Sequence, residues 1–160
     1  PESVRGIVHG TTLVTNAIIE RKGVPTALIT TQGFRDAVEI GKEHRYDLYE
    51  IFLEMPKPRV PRRWRLEVEE RVLSDGTVQT PVRSEQVREL ADHLTEHGIE
   101  AVAVALMHAY RNPEHERQIE ALLNEYAPDL TVSTSSDVVP EIREYERTST
   151  TIANVYVRPV

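Results

Sequence analysis

The sequence of 160 residues has no cysteine and no long apolar run, and each absence excludes a class of protein. Without cysteine there are no disulfide bonds, no thiolate metal sites and no cysteine nucleophile. No apolar run approaches the roughly 20 residues that span a bilayer, and no signal-peptide pattern opens the chain. We therefore expect a cytoplasmic protein with no membrane association.

The chain also has fewer basic than acidic residues. The chain has 19 Lys and Arg against 26 Asp and Glu, which gives a net charge of −7. Broad binding to nucleic acid needs a basic surface, so we expect no nucleic-acid partner. The one basic cluster, at residues 59–65, is interrupted by prolines and followed by glutamates. This pattern favours a solvated strand edge.

The length and the 39% hydrophobic content are ordinary for one soluble domain. We therefore expect residues 1–160 to form a single α/β domain. The chain opens at Pro1 without a methionine and stops at Val160 in an apolar, helix-like run. These two ends indicate a piece of a longer polypeptide.

Apolar strands alternate with amphipathic helices along most of the chain. Strands are predicted at residues 4–8, 27–31, 101–107 and 130–133, and helices at residues 12–22, 33–40, 84–97, 114–126 and 141–157. Residues 44–54 form either a loop or another helix. The alternation predicts an α/β fold with a mainly parallel sheet and flanking helices.

A second type of structure interrupts this alternation. Three prolines at residues 56–61 break regular structure, and an Asp75-Gly76 pair lies between two extended segments. An Asp-Gly pair in this setting is a hairpin signal. We therefore predict a β-hairpin insertion over residues 59–82.

The segment His-Gly-Thr-Thr at residues 9–12 joins the first predicted strand to the first predicted helix. Ligands in open α/β sheets bind beyond the carboxyl ends of strands, and a helix N-terminus suits an anion. Two interpretations stay open. Either His9, Gly10, Thr11 and Thr12 form an anion site, or the glycine makes the turn and a threonine caps the helix.

Other polar residues also have two interpretations. His108 follows the predicted strand 101–107 and is either a proton carrier or ligand, or a structural residue. His93 and His97 have metal-ligand spacing on a helix, but no third ligand is evident, which favours a surface role. The hydroxyl run at residues 148–151 is unfavourable inside a helix and indicates either function or buried partners. No metal site is predicted from these residues.

Five segments, read in order, carry a family resemblance. They are HGTTLVTNAIIERKG, ALITTQGFRDAVEIG, RYDLYEIFLEMPKPRVPRR, VALMHAYRNPEHE and VPEIREYERTSTTIANVYVRP. Together they resemble the hydantoinase A/5-oxoprolinase family. This family includes ATP-dependent N-methylhydantoinases, 5-oxoprolinases and the nucleotide-binding subunits of acetone and acetophenone carboxylases. The resemblance implies a fold similar to part of an actin-like ATPase domain.

The resemblance implies ATP and Mg²⁺ as cofactors. It also implies a subunit that opens a cyclic amide or imide, such as a lactam or hydantoin, by phosphorylating its carbonyl oxygen. Alternatives are a subunit of an ATP-dependent ketone carboxylase, or a non-catalytic module that docks a partner. The implied partner is a hydantoinase B-like subunit or domain, in an oligomer. The family's phosphate loop would precede Pro1, so we expect the isolated chain to be inactive.

The resemblance also suggests site residues, without assigning a general base. The candidates for contact with substrate or phosphate are His9, Gly10, Thr11, Thr12, Asn16, Arg45, Arg147 and Thr148. Of these, Arg45 would contact an anionic intermediate. Arg147 and Thr148 would line the cleft or join two domains.

Overall fold

The computed structural model describes residues 12–44, 47 and 49–158. The predicted strand at residues 4–8 lies outside this range. So do four of the candidate site residues, His9, Gly10, Thr11 and Arg45.

The strands form a four-stranded parallel sheet and a separate two-stranded antiparallel pair. The strands are β1 (Thr26–Thr31), β2 (Arg65–Val68), β3 (Arg71–Val72), β4 (Val78–Thr80), β5 (Ala101–Ala105) and β6 (Thr131–Thr134). The parallel sheet has the order β2-β1-β5-β6, and β3 pairs with β4. In register, Leu28 of β1 lies opposite Arg65 of β2 and Ala103 of β5. The predicted α/β fold with a mainly parallel sheet is confirmed.

In the part of the chain that the structure describes, six α-helices flank the sheet or follow its strands. They are α1 (Leu13–Ile19), α2 (Ala37–Ile40), α3 (Ser84–Glu96), α4 (Glu114–Tyr126), α5 (Ser135–Val138) and α6 (Glu144–Val157). Helices α3 and α4 cover one face of the sheet, while α6 covers the other. The predicted helix at 33–40 is wrong in its first half, because only its last turn is helical. None of the helices in the described ranges is long and apolar enough to span a bilayer.

Strand β5 is apolar throughout because both of its faces are covered. Val102 and Val104 pack with residues of α3 and α4, such as Leu94 and Ile119. The alternate residues of the strand, among them Ala103, pack with residues of α6 on the opposite face. All five residues of the strand are buried. Continuous burial on two faces is typical of a central parallel strand.

The antiparallel pair is shorter than the predicted insertion. Only β3 and β4 form it, whereas β2, which also lies within residues 59–82, is an edge strand of the parallel sheet. Arg65 of β2 is only 3% exposed, so the prediction of a solvated basic cluster is wrong for this residue. Its guanidinium donates hydrogen bonds to the carbonyl of Val60 at 3.0 Å and to Glu39 at 2.6 Å. These two acceptors offset the burial of the charge.

Candidate functional site

A crevice lies at the carboxyl edge of the sheet, where the strand order reverses. From β1 the chain continues to β2 on one side, and from β5 it continues to β6 on the other. Open α/β sheets bind ligands at such a reversal. A cavity of about 490 Å³ lies here, bounded by Phe34 after β1, Met107 after β5 and Tyr145 in the first turn of α6.

The lining of this crevice is balanced in charge and partly apolar. Its cations are Lys42 and Arg143, and its carboxylates are Glu144 and Glu146. The Nζ of Lys42 lies 3.0 Å from the Glu146 carboxylate, and a guanidinium nitrogen of Arg143 lies 3.6 Å from it. The hydrogen bond from Lys42 is the main cause that lowers the pKa of the Glu146 carboxyl. Such a site suits a neutral polar ligand better than a polyanion.

Arg147, one of the predicted site residues, lies beneath the crevice and is 1% exposed. Its guanidinium donates hydrogen bonds to the carbonyl of Leu106 at 2.8 Å and to the carbonyl of Glu141 at 2.7 Å. A third bond goes to the hydroxyl of Ser135 at 3.1 Å, and the ring of Tyr110 lies 5.7 Å away. In this arrangement the guanidinium ties the end of β5 to α5 and α6.

Glu116 completes the same buried group from the first turn of α4. Its carboxylate accepts hydrogen bonds from the hydroxyl of Ser135 at 2.6 Å, from the backbone N–H of Leu106 at 2.9 Å and from that of Ser136 at 2.7 Å. Burial raises the pKa of the Glu116 carboxyl above its usual range, and these donors oppose the rise only in part. Glu116 and Arg147 therefore hold the chain at the end of β5 from two sides.

A second buried polar group lies at the same edge. The hydroxyl of Thr31, the last residue of β1, donates a hydrogen bond to the Glu70 carboxylate and accepts one from the N–H of Met107 at 2.9 Å. The other carboxylate oxygen of Glu70 lies 2.6 Å from Nδ1 of His115. This group links the ends of β1 and β5 to the start of α4.

His108 follows β5 with a backbone φ of 56°, a left-handed conformation that is unfavourable for a residue with a side chain. Within the described part of the chain, its Nδ1 is buried and has no hydrogen-bond partner. The imidazole contacts the ring of Tyr110, with 6.0 Å between the ring centres. Strain of this kind often marks a functional residue, so both interpretations of His108 remain.

The His93 and His97 pair forms an aromatic cluster on the surface of α3. The two ring centres lie 4.4 Å apart, and the indole of Trp64 lies 5.6 Å from His93 and 5.3 Å from His97. Nδ1 of His97 is also 2.8 Å from the carbonyl of His93. The pair therefore packs against Trp64, in the short turn that precedes β2, and against its own helix.

The other predicted site residues lie apart from the crevice or within α6. Thr12 and Asn16 are exposed at the start of α1, and the Thr12 side chain makes no capping hydrogen bond. Thr148 is buried within α6. Two hydroxyls of the 148–151 run bond to their own helix, Ser149 to the carbonyl of Glu146 and Thr151 to that of Arg147. Local bonds of this kind account for a polar run inside a helix.

The sequence interpretation missed several residues at this edge, namely Lys42, Glu70, His115, Glu116 and Tyr145. Glu70 follows two other glutamates, which favoured a solvated run. Its partners Thr31 and His115 lie 39 and 45 residues away along the chain, so no local pattern connects them. A signal did exist for Glu116, because it lies in the first turn of a helix whose start the sequence marks clearly.

The resemblance implies Mg²⁺, which proteins hold with Asp and Glu carboxylates and other oxygen ligands. Within residues 12–44, 47 and 49–158, no three His, Asp or Glu side chains cluster closely enough to hold a metal ion. The ammonium of Lys42, which could contact an anion, is already paired with the carboxylate of Glu146.

Comparison with known proteins decides the family. Residues 1–127 match the hydantoinase/oxoprolinase N-terminal region. The chain belongs to this family. Among relatives, it is 36% identical to the caprolactamase subunit alpha of Pseudomonas jessenii over 96% of its length, and 34% identical to 5-oxoprolinase 1 of Arabidopsis thaliana over 99%.

Two solved structures carry the same fold. The crystal structure of the ATP-dependent caprolactamase of Pseudomonas jessenii matches with a TM-score of 0.83 and 38% identity, over 95% of this chain and 22% of that one. The nucleotide-free structure of acetone carboxylase matches with a TM-score of 0.82 and 31% identity, over 91% and 22%. The family member described here spans 22% of caprolactamase subunit alpha and 14% of 5-oxoprolinase 1.

Proposed function

We propose that this chain forms part of the nucleotide-dependent subunit of an enzyme that opens a cyclic amide or imide. Family membership and the match to an ATP-dependent caprolactamase support the reaction class. The observation that carries the proposal is the crevice at the β1 and β5 ends, with two cations, two carboxylates and apolar walls. A neutral, compact lactam or imide fits such a lining.

The chemistry explains why such an enzyme would need ATP. An amide carbonyl is a poor electrophile, and a phosphoryl group supplied by ATP would turn its oxygen into a better leaving group. In this proposal the chain itself binds and orients the ring. Phe34 and Met107 exclude water from one side of the ring, and Lys42 and Tyr145 donate hydrogen bonds to its polar edge. His9 and Thr11 remain proposed phosphate or substrate contacts from the sequence.

A ketone carboxylase is the second candidate, because the acetone carboxylase structure matches the chain almost as well as the caprolactamase does. Activation of a ketone enolate would use the same supply of phosphoryl groups. The described residues are compatible with both reactions, so the substrate must be tested directly.

The proposed partner is a hydantoinase B-like chain in a hetero-oligomer. Several relatives are named as subunits, among them caprolactamase subunit alpha, the acetophenone carboxylase gamma subunit and the acetone carboxylase beta subunit. Tyr49, Ile51 and Phe52 form a segment of large apolar side chains that are 93%, 81% and 83% exposed. Exposed apolar segments of this kind often bind another chain. Sedimentation of the assembly with Phe52→Ser should show weaker association than with the wild type, and equal association would contradict this surface.

The function is tested by ATP hydrolysis in the complete polypeptide that carries these residues, together with its partner chain. Hydantoin, 5-oxoproline, ε-caprolactam, and acetone with bicarbonate are added separately. Stimulation by a cyclic amide or imide supports the proposal, whereas stimulation only by acetone with bicarbonate supports the carboxylase. Stimulation by none of them favours a docking module.

Matched variants then test the crevice. Lys42→Met removes a cation from the crevice, and Lys22→Met removes one that pairs with Glu20 at the end of α1. We expect Lys42→Met to raise the KM for the amide at least fivefold and Lys22→Met to leave it unchanged. An equal KM for the amide in the two variants would contradict substrate binding in the crevice. His9→Ala tests the sequence-based contact in the same assay.

A further inference from the structure

A second cavity, of about 220 Å³, lies against α6 and shares Tyr145 with the lining of the crevice. Three cationic side chains line it, Arg21, Lys57 and Arg59, and its lining includes no carboxylate. We call it the tri-cationic cavity. The chain as a whole has a net charge of −7. A cavity lined by three cationic residues and no acidic residue is therefore unexpected in this sequence. Like charges gathered in one cavity repel unless an anion joins them.

The two guanidiniums are already held in place. Arg21 donates a hydrogen bond to the carbonyl of Lys57 at 2.7 Å, and Arg59 donates one to the carbonyl of Ile18 at 2.9 Å. The guanidinium of Arg59 also lies over the ring of Tyr156, 5.6 Å from its centre. Each guanidinium has five N–H donors, so most of its donors remain available. Groups fixed before a ligand arrives lose less entropy when it binds.

No carboxylate of the described residues neutralises these three side chains. The ion pairs nearest to them in the chain join Lys22 to Glu20 and Arg62 to Asp36 instead. Neither of those pairs contributes to the lining of the cavity. Among the described residues, no carboxylate that lines the cavity pairs with these three cations.

We infer that the tri-cationic cavity binds the phosphate group of a small ligand. A phosphate dianion neutralises more of the three charges than a single carboxylate does, and guanidinium forks match its oxygen geometry. The volume of about 220 Å³ admits a small molecule. Val38 and Ile152 supply an apolar wall beside the cations, which suits a phosphomonoester with a short alkyl or ring substituent.

The test is calorimetric titration of the complete polypeptide with inorganic phosphate, propyl phosphate and butyrate. The informative variant is Lys57→Gln, because Lys57 is exposed and only its backbone carbonyl takes part in a hydrogen bond. We expect this variant to bind propyl phosphate about tenfold more weakly, and Lys57→Glu to abolish that binding event. Lys22→Gln, which removes a neighbouring charge outside the cavity, should bind as the wild type does.

The comparison among ligands identifies the source of the phosphate. Tighter binding of propyl phosphate than of inorganic phosphate indicates a phosphomonoester, and equal binding indicates the free ion. Either result supports the site if Lys57→Gln weakens it. Wild-type affinity in Lys57→Glu, an equal loss in Lys22→Gln, or tighter binding of butyrate than of propyl phosphate would each overturn the proposal.

Discussion

Glu116 and Arg147 meet through one hydroxyl, because Ser135 donates a hydrogen bond to the Glu116 carboxylate and accepts one from Nε of Arg147. The same two side chains also bind the backbone of Leu106. Its N–H donates a hydrogen bond to Glu116, and its carbonyl accepts one from Arg147. Since Leu106 is the first residue after β5, this arrangement fixes the floor of the crevice. Substitutions of Glu116 and of Arg147 can each test how much this arrangement contributes to stability.

Replacing Arg147 should unfold the protein far more readily than replacing its neighbour. Arg147→Met leaves the carbonyls of Leu106 and Glu141 without their donor and leaves Glu116 without a nearby positive charge. We expect a loss of about 3–5 kcal/mol in the free energy of unfolding, measured by urea denaturation. Arg143→Met is the control, since that side chain is 74% exposed, and it should lose less than about 0.5 kcal/mol. Similar losses in the two variants would show that the buried bonds contribute little.

Glu116 should make the free energy of unfolding fall as the pH rises, which is opposite to the effect of a carboxyl group whose native pKa is lowered. Because burial raises the pKa of the native Glu116 carboxyl, the native state keeps a proton that the unfolded state releases above about pH 4.3. The contribution of Glu116 to stability therefore falls as the pH rises from that value through the native pKa. In Glu116→Gln this fall should be absent, measured by urea denaturation between pH 4 and pH 8.

The control for that experiment is Glu146, whose carboxyl pKa is lowered chiefly by the hydrogen bond from Lys42. A lowered native pKa gives stability that is present above the unfolded pKa and is lost as the pH falls through the native value. Glu146→Gln should therefore change the profile at its acidic end, in the opposite direction to Glu116→Gln. Parallel profiles for wild type and Glu116→Gln would refute the raised pKa.

The hydroxyl of Thr31 should matter more than an equivalent hydroxyl at the start of the same strand. Thr31→Val keeps the shape of the side chain but leaves the N–H of Met107 and one oxygen of Glu70 unpaired. We expect a loss of about 2–3 kcal/mol in the free energy of unfolding. Thr26→Val removes a hydroxyl that bonds only to the carbonyl of Val24, and should lose about 1 kcal/mol. Equal losses would mean that the Thr31 group is replaced by water without penalty.

The elements that could be predicted from the sequence are those with strong periodicity and local signals. Strand β5 is apolar throughout because it is buried on two faces. Helix α3 is amphipathic because only one of its faces is buried. The cap of α4 is also local, since the Asn112 side chain accepts a hydrogen bond from the N–H of Glu114 at 3.1 Å. Signals of this kind lie within a few residues of one another, so a single sequence contains them.

The polar groups beneath the crevice could not be predicted in the same way. Arg65 and Glu70 lie in charged stretches that indicate a solvated surface, yet both are buried because residues far along the chain supply partners for them. Arg147 bonds to Leu106, 41 residues away along the chain. A buried charge depends on the three-dimensional arrangement of its acceptors, which periodicity does not report. The crevice itself depends on strand order, which alternation of strands and helices leaves open.

Among the glycines of the described ranges, Gly23 should be the least replaceable, because it lies directly against the last turn of α6. A Cβ placed at Gly23 would collide with the ring of Tyr156 and with its backbone carbonyl, which also accepts the N–H of Val24 at 3.2 Å. The backbone carbonyl of Tyr156 cannot rotate away as a side chain does. Gly23→Ala must therefore push the residues that precede β1 away from α6. We expect a loss of about 3 kcal/mol or more in the free energy of unfolding by urea. Gly98→Ala is the matched control, because a Cβ there meets no atom and suffers only from a φ of +66°, for a loss of about 1–2 kcal/mol. If Gly98→Ala proves the more damaging of the two, close packing of Gly23 on Tyr156 does not hold α6 against the start of the sheet.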